Sequence, residues 1–403
     1  MLKKIQVRDL RLGMYVQEIC GSWMEHPFWK KSFDLTSEGD LRTLKTCGIR
    51  DVWIDTGKGL DVEGEAVVTA PEEEQHIEQE LQLAVQNEPE PVQRVSLQQE
   101  ILRARAALEQ GKAAVVSMFG EVRMGNALKI SDAGPLVDEI SNSISRNPEA
   151  FLNLARLKNA DNYTYLHSVA VCGLMIALGK QLGLSGSTLR SAGVAGLMHD
   201  VGKALIPDDV LNKPGKLTDE EFTVIKGHPR KGWEILNVSE GTNEIALDVC
   251  LHHHERVDGR GYPEKISGDE LTLFARMGAV CDVYDALTSD RCYKKGWEPA
   301  EALRKMAEWR QGHFDERVFH AFVRAVGIYP TGTLVKLKSG HLAVVVEQTD
   351  KGLLTPIVKA FYSLKSNEPF TPQVVDLSQS QDAIANIEDP ARWGFDLKQI
   401  TGV

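Results

Sequence analysis

Side chains that could hold metal ions are concentrated in one part of the sequence. Six of the eleven histidines fall between positions 167 and 254, at His167, His199, His228, His252, His253 and His254, and aspartates accompany them at Asp200, Asp282 and Asp285. Imidazole nitrogens mixed with carboxylate oxygens suit Fe, Mn, Zn, Co or Ni, whereas Ca²⁺ prefers oxygen alone. This part of the chain therefore predicts a transition-metal centre.

Each of these residues taken alone also has a purely structural explanation. His167 recurs at helical spacing with Val171 and Leu174, and a histidine on such an apolar face is most often a hydrogen-bonded core residue. Asp200 and Asp282 follow small residues that favour close packing, where burying an unpaired carboxylate costs several kcal/mol. A single metal centre accounts for all of them together, so we expect one.

The number of candidate ligands indicates two ions rather than one. The side chains predicted to bind metal are His167, His199, Asp200, His228, His253, His254 and Asp282. They are more than a tetrahedral site can use. Because a carboxylate has two oxygens and can bridge two ions, Asp200 is the candidate bridge. We expect Fe or Mn, with Zn, Co or Ni as alternatives.

Two such ions predict a hydrolase for phosphate esters. Ions about 3.5 to 4 Å apart can share a hydroxide, bring the pKa of water down to about 7 and neutralise phosphate oxygens. Lys203 lies one turn beyond Asp200, where its ammonium can bind a phosphate oxygen, and both are predicted catalytic residues. Arg291 and Lys294 add positive charge, although they could instead be ordinary solvated loop residues.

Composition narrows the partners and the compartment. The net charge of −11 opposes broad contact with nucleic acid or an anionic membrane, so an anionic substrate needs local positive charge. No window holds the roughly 18 apolar residues of a membrane span, and the first residues lead into Arg8 and Asp9 rather than an apolar signal core. The six cysteines form no C-x-x-C pair and are expected as reduced core thiols. We therefore expect a cytoplasmic protein.

Helices must position the candidate ligands. Ser96 with Gln99 and Thr218 with Glu221 form capping boxes, and an apolar stripe runs along 97–108. Similar stripes predict helices at about 132–146, 162–182, 188–200, 219–236, 243–255, 271–288, 299–309 and 315–326. This region is predicted to be an all-α bundle.

Composition and periodicity divide the chain into four parts. Residues 1–68 predict a small α/β accessory domain. Residues 71–93 carry seven glutamates and no Lys or Arg, so 69–94 is predicted to be an acidic linker. Residues 95–330 are the predicted helical catalytic domain, and 331–403 form a small β-rich appendage that begins with a hairpin. The predicted fold class is mainly α.

The order and spacing of these motifs resemble the HD-GYP family of metal-dependent phosphohydrolases. The resemblance is carried by His199-Asp200, Gly202-Lys203, His253-His254-Glu255, Gly261-Tyr262-Pro263, the run 282–288, and then Arg291, Tyr293 and Lys294. It implies an HD-type helical bundle with a bimetallic or trimetallic centre. It also implies an enzyme that opens cyclic di-GMP to the linear dinucleotide pGpG and often continues to GMP.

The resemblance further implies roles for single residues. It assigns His167, His199, Asp200 and Asp282 to one ion and Asp200, His228, His253 and His254 to the other, and it leaves His252 outside the centre. It assigns substrate binding to Lys203, Arg291, Lys294, Asp285 and Tyr262. Some members bind a third ion through an acidic residue four places before the first histidine. Tyr163 occupies that place here, so two ions are expected.

Partner and function alternatives stay open at this point. The loop from His254 to Pro263 is linked in the family to contacts with diguanylate cyclase domains, although a plain turn that packs Tyr262 is an equal alternative. An HD-type phosphohydrolase for another nucleotide phosphate ester is a second function, and a module that binds cyclic di-GMP or docks a partner without turnover is a third. The stripe 97–108 could serve a homodimer as readily as the core.

Overall fold

The chain forms two compact units. The structure, a computed structural model, describes residues 2–19, 32–46, 51–62, 68–69, 95–156, 163–213, 215, 217–289, 296–349, 354–388, 390–395, 397 and 400. The first unit comprises the described residues of 1–83 together with 304–313, and the second comprises the remainder. The predicted acidic linker, apart from Thr69, lies outside the described residues.

The first unit is a small α/β fold, as predicted for the N-terminus. Its antiparallel sheet has the order β3-β2-β4-β1-β5, formed by β1 (Leu2–Gln6), β2 (Tyr15–Ile19), β3 (Phe33–Asp34), β4 (Asp51–Asp55) and β5 (Val68–Thr69), with helix α1 (Glu38–Thr46). Ile5 pairs with Val52 across the sheet, and both are buried with Leu44 of α1. In the helical segment 304–313, Lys305 lies 2.9 Å from the carboxylate of Glu18.

The second unit is mainly α, which confirms the predicted fold class. Its helices are α2 (Leu97–Arg123), α3 (Gly134–Arg146), α4 (Pro148–Arg156), α5 (Tyr163–Gln181), α6 (Gly186–Met198), α7 (Asp208–Leu211), α8 (Asp219–Lys226), α9 (His228–Asn237), α10 (Glu244–His252), α11 (Leu273–Thr288), α12 (Pro299–His313), whose residues 304–313 belong to the first unit, and α13 (Glu316–Val326). Helix α5 is buried along most of its length and packs against α2, α3, α4, α6, α11 and α13. Such burial explains why its sequence is apolar on nearly every side.

Side-chain caps fix where these helices begin. Both predicted capping boxes form, at Ser96 and at Thr218. Asn243 and Thr272 cap α10 and α11 by accepting hydrogen bonds from backbone N–H groups three residues on. The predicted helix at 219–236 is wrong in one respect, because it divides into α8 and α9, and His228 begins α9. Pro has no N–H to donate, so Pro229 fits the first turn of a new helix.

A second antiparallel sheet follows the helices. Its order is β10-β6-β7-β8-β9, with β6 (Leu334–Leu337), β7 (His341–Glu347), β8 (Ile357–Ser363), β9 (Glu368–Asp376) and β10 (Ile384–Ile387), before the short helix α14 (Pro390–Trp393). Pairing of Leu334 with Val344 confirms the predicted hairpin. Glu149 of α4 accepts hydrogen bonds from the backbone N–H of Gln348 at 2.8 Å and the hydroxyl of Thr331 at 2.7 Å. These bonds attach the sheet to the helices.

No helix among the described residues is both long enough and apolar enough to cross a membrane.

Candidate metal centre

Five helices bring the seven predicted ligands into one cluster. His167 lies within α5, His199 and Asp200 directly follow α6, His228 begins α9, His253 and His254 directly follow α10, and Asp282 lies within α11. Six of these side chains are almost fully buried, and His254 is partly buried. Among the residues that the structure describes, three groups of side chains have ligand atoms close enough to share an ion: His228, His253 and His254; His167, His199 and Asp282; and His199, Asp200 and His253.

Glycines allow the elements that carry these ligands to touch. The turn at 201–205 follows Asp200 and lies against the start of α9. A Cβ on Gly202 would lie 2.0 Å from the backbone oxygen of His228 and 2.5 Å from the backbone nitrogen of Gly232. Only glycine permits so close a backbone approach. The Gly that follows His-Asp in the motif is therefore required for packing at the centre.

Hydrogen bonds behind the imidazoles determine which nitrogen faces the centre. Nδ1 of His199 lies 2.8 Å from the carbonyl oxygen of Gly196, and Nδ1 of His228 lies 2.7 Å from that of Ile225. Nδ1 of His253 likewise lies 3.0 Å from the carbonyl oxygen of Val249. A carbonyl oxygen can only accept, so these Nδ1 atoms carry the proton. Each Nε2 is then left with a lone pair, as a metal ligand requires.

The carboxylate of Asp285 orients the ring of His167, as backbone carbonyls orient the other three histidines. Its Oδ2 lies 2.6 Å from Nδ1 of His167, and both side chains are buried. A carboxylate behind a histidine fixes the ring and strengthens the other nitrogen as a ligand. This contact places Asp285 behind a candidate ligand, and its predicted contact with substrate stays a prediction.

The lone pairs of the four imidazoles converge in two pairs around one carboxylate. Nε2 of His167 lies 3.2 Å from Nε2 of His199, and Nε2 of His228 lies 3.2 Å from Nε2 of His253. Oδ2 of Asp200 is 3.4 Å from each nitrogen of the first pair, and its Oδ1 is 3.1 Å from Nε2 of His228. Within the described residues, that Oδ1 is buried without a hydrogen-bond partner. Facing lone pairs repel one another unless a cation lies between them, so these residues fit a metal centre.

Asp282 and His254 lie beside these two pairs of histidines. Oδ1 of Asp282 lies 3.0 Å from Nε2 of His167, and Oδ2 lies 3.6 Å from Nδ1 of His254. The ring centre of His254 is 5.0 Å from that of His228. One oxygen of Asp200 therefore faces His167 and His199 and the other faces His228, and its assignment as a bridge between two ions stays a prediction.

The protonation states also suit cations. Burial, followed by the neighbouring imidazoles, lowers the pKa of His253 to about 3, and burial lowers the pKa of His228 and His254. Burial opposes ionisation of Asp200, but the charges of Lys203 and the histidines outweigh it and hold the pKa of that carboxyl well below its usual range. Neutral imidazoles beside ionised carboxylates are the forms that bind metal.

His167 is the exception in the metal-free fold. Burial alone would lower the pKa of His167, but hydrogen bonds to Asp200, Asp282 and Asp285 raise it to about 10. A proton on His167 then supplies the positive charge that these carboxylates require, and an ion must displace it.

The remaining predicted site residues have different positions. The ammonium of Lys203 is hydrogen-bonded to Oδ2 of Asp200. Tyr262 follows Gly261 and stacks on His254 with ring centres 4.7 Å apart and planes inclined by 25°. Arg291 and Lys294 lie outside the described residues. His252, which was not expected to bind metal, pairs instead with Asp248 and Glu264.

Sequence reasoning missed the function of Glu255. This buried carboxylate accepts hydrogen bonds from the backbone N–H groups of Glu264 at 2.6 Å and Lys265 at 2.8 Å. The bonds close the loop that carries Tyr262 back toward His254. An acidic residue directly after two histidines was the available signal, but its backbone partners cannot be identified from spacing.

Comparisons with known proteins agree with this geometry. Residues 139–318 match the HD domain family, and residues 2–133 match a domain of unknown function, DUF3391. The chain is 53% identical to a cyclic di-GMP phosphodiesterase of Pseudomonas aeruginosa, over 98% of this chain and 94% of that protein. It is 36% identical to a cyclic di-GMP phosphodiesterase response regulator of Xanthomonas campestris, over 60% of this chain and 56% of that protein.

A further relative is named for a different cyclic dinucleotide. It is a 3′3′-cGAMP-specific phosphodiesterase of Vibrio cholerae, 38% identical over 30% of this chain and 23% of that protein. The nearly full-length match to the Pseudomonas protein and the HD domain match are together sufficient to assign a family. The chain therefore belongs to the HD-GYP family of HD-domain proteins, with a DUF3391 domain ahead of the HD domain.

Proposed function

We propose that this protein is a metal-dependent phosphodiesterase that hydrolyses cyclic di-GMP to pGpG, with further hydrolysis to GMP as an open alternative. The observation that carries the proposal is the pair of facing imidazoles on either side of Asp200, each with its lone pair directed inward. Two divalent ions held there would supply a shared hydroxide as nucleophile and neutralise the phosphate oxygens. Fe or Mn are the proposed metals, with Zn, Co or Ni as alternatives.

The relatives support this class of reaction. The Pseudomonas protein, which matches nearly the full chain, and the Xanthomonas protein are both named as cyclic di-GMP phosphodiesterases. A Borreliella burgdorferi relative that is 27% identical over 52% of this chain carries the same name. The 53% identity over nearly the full chain supports a cyclic di-GMP phosphodiesterase, and the HD domain implies dependence on divalent metal.

The chain's own residues have four tasks in this proposal. Asp200 contributes one oxygen to each side of the centre, and Asp285 keeps the ring of His167 oriented. Lys203 is positioned on the turn after Asp200, where its ammonium can bind an oxygen of the scissile phosphate. Arg291 and Lys294 are proposed to bind phosphate as well, from their charge and their place in the motif.

The test combines metal content with turnover. Wild type and Asp200→Ala are purified side by side, their metals are measured by elemental analysis, and hydrolysis of cyclic di-GMP is followed by chromatography. We expect about two transition-metal ions per wild-type chain, and we expect the variant to lose most metal and activity together. Asp138→Ala is the matched control, since this aspartate is half exposed and paired with Arg190.

Three outcomes would contradict the proposal. A fully active Asp200→Ala protein would show that Asp200 does not bridge two ions. The dinucleotide 3′3′-cGAMP is assayed in parallel because a Vibrio relative is named for it. Faster turnover of 3′3′-cGAMP than of cyclic di-GMP would show that cyclic di-GMP is not the preferred substrate. Binding of cyclic di-GMP to the metal-loaded wild type without hydrolysis would make the chain a binding module.

Other predictions about partners stay proposals. They are contact with diguanylate cyclase domains through the Gly261–Pro263 loop, a homodimer through the 97–108 stripe, and action in the cytoplasm.

A further inference from the structure

A lysine that no motif includes lies close to the centre. Lys226 is the last residue of α8 and is exposed. Its ammonium lies 5.3 Å from the ring centre of Tyr262 and 4.5 Å from that of Phe222. Tyr262 also stacks on His254, so one aromatic ring contacts both this ammonium and a candidate metal ligand.

Two aromatic rings orient the ammonium of Lys226. An aromatic face attracts a cation through its quadrupole and carries no net charge of its own. The rings of Phe222 and Tyr262 therefore hold the exposed ammonium next to the ring that stacks on His254.

A cyclic dinucleotide needs such a group. It carries two phosphates in one closed ring, and the ions with Lys203 account for the one that is cleaved. The second phosphate is an equal negative charge that must approach a protein with a net charge of −11. A cation beside the centre, on the side of His254 and Tyr262, meets this requirement.

We propose that Lys226 is a substrate-binding residue that contacts the phosphate that is not cleaved. This inference rests on the proposed function and extends it to a residue outside the motifs that carry the resemblance. A lysine ammonium has three donors, so it can bind phosphate oxygens while its stem stays against the rings.

The test separates substrates by their number of phosphates. Lys226→Met removes the charge and keeps an apolar stem, and Lys226→Arg keeps the charge. Lys213→Met is the matched control, because Lys213 is ion-paired at 2.7 Å with Glu221, which belongs to α8 as Lys226 does. Each protein is assayed with cyclic di-GMP and with bis(p-nitrophenyl) phosphate, a diester with one phosphate, and its metal content and Tm are measured.

We expect Lys226→Met to raise KM for cyclic di-GMP about tenfold, the effect of losing one charge-assisted hydrogen bond. Its kcat, metal content, Tm and kinetics with the one-phosphate diester should stay at wild-type values. Lys226→Arg should recover most of the lost affinity, and Lys213→Met should behave as wild type.

Different failures point to different errors. An unchanged KM for cyclic di-GMP in Lys226→Met would overturn the inference alone. Equal losses on both substrates, or loss of metal, would show that Lys226 only positions Tyr262 and His254, and would also overturn it. Wild type that hydrolyses the one-phosphate diester but not cyclic di-GMP would overturn the proposed function and the inference with it.

Discussion

Removing the carboxylate behind His167 should weaken metal binding without removing a ligand. In Asp285→Ala, Nδ1 of His167 loses the acceptor that lies 2.6 Å away, in a place where both side chains are buried. The proton on Nδ1 then loses this carboxylate as its acceptor, and the tautomer with the proton on Nε2 competes. That tautomer places an N–H, and no lone pair, on the nitrogen of His167 that faces His199 and Asp200, where a metal ion would bind.

The size of the effect on metal affinity follows from the hydrogen bond to His167 that the substitution removes. Loss of one such partner typically costs about 10- to 100-fold in metal affinity, or about 1.4 to 2.8 kcal/mol. Asp285→Asn keeps an oxygen that can accept from Nδ1, so its loss of affinity should be smaller. Seven ligands remain in both variants, so metal content at saturating metal should stay near that of wild type.

Metal affinity is measured by competition with a chromophoric chelator, and Tm of the metal-free proteins is measured in parallel. Asp138→Ala, an exposed aspartate paired with Arg190, is the control for loss of one negative charge. Unchanged affinity in Asp285→Ala would refute the tautomer argument. An equal loss in Asp138→Ala would show that net charge, not the hydrogen bond, matters.

Three further outcomes are expected from other parts of the structure. The Cβ added by Gly202→Ala would lie 2.0 Å from a backbone oxygen, so the free energy of unfolding in urea should fall by about 3 kcal/mol. The control Gly120→Ala, where a Cβ meets nothing within 4 Å, should raise that free energy by about 0.5 to 1 kcal/mol. Equal effects of the two substitutions would contradict the packing argument. Burial lowers the pKa of His253 to about 3 in the metal-free fold, while the unfolded chain takes up the proton near 6.5. The Tm of the metal-free protein should therefore fall as pH drops from 6.5 towards 3. In His253→Gln, Tm should depend less on pH over this range. Glu149→Ala leaves the backbone N–H of Gln348 without this acceptor and should lower the free energy of unfolding in urea by about 1 to 3 kcal/mol. A decrease below the error of the measurement would show that the second sheet is attached by other contacts.

Much of the helical unit could be predicted from sequence because its signals are local. The capping box at Thr218 and the apolar stripes depend on residues three or four positions apart, and the helices lie close to where the stripes indicate. The break between α8 and α9 was missed, since the stripe continues through Gly227 while the backbone turns there. A stripe records which residues are buried but not whether one helix or two carry them.

The candidate site was also predictable only in part from the sequence. Histidines and aspartates can be recognised by type, so all seven predicted ligands could be named from the sequence alone. The groups that orient them could not, because the acceptors for His199 and His228 are backbone carbonyls whose position depends on where a helix ends. Contacts between distant residues, such as Glu149 with Gln348, carry no sequence signal.

Helix α12 affects how this protein can be divided in the laboratory. Its residues 304–313 fold with the N-terminal sheet, where Lys305 pairs with Glu18 and Glu308. Burial alone would lower the pKa of Lys305, but the two glutamates outweigh it and raise that pKa. A truncated chain that starts at Ser96 would keep Lys305 and lose Glu18, so shortening the gene at the acidic segment would leave two thirds of a helix without the sheet on which it folds. An active fragment would need new polar residues on that part of the helix, or would have to retain the first 69 residues.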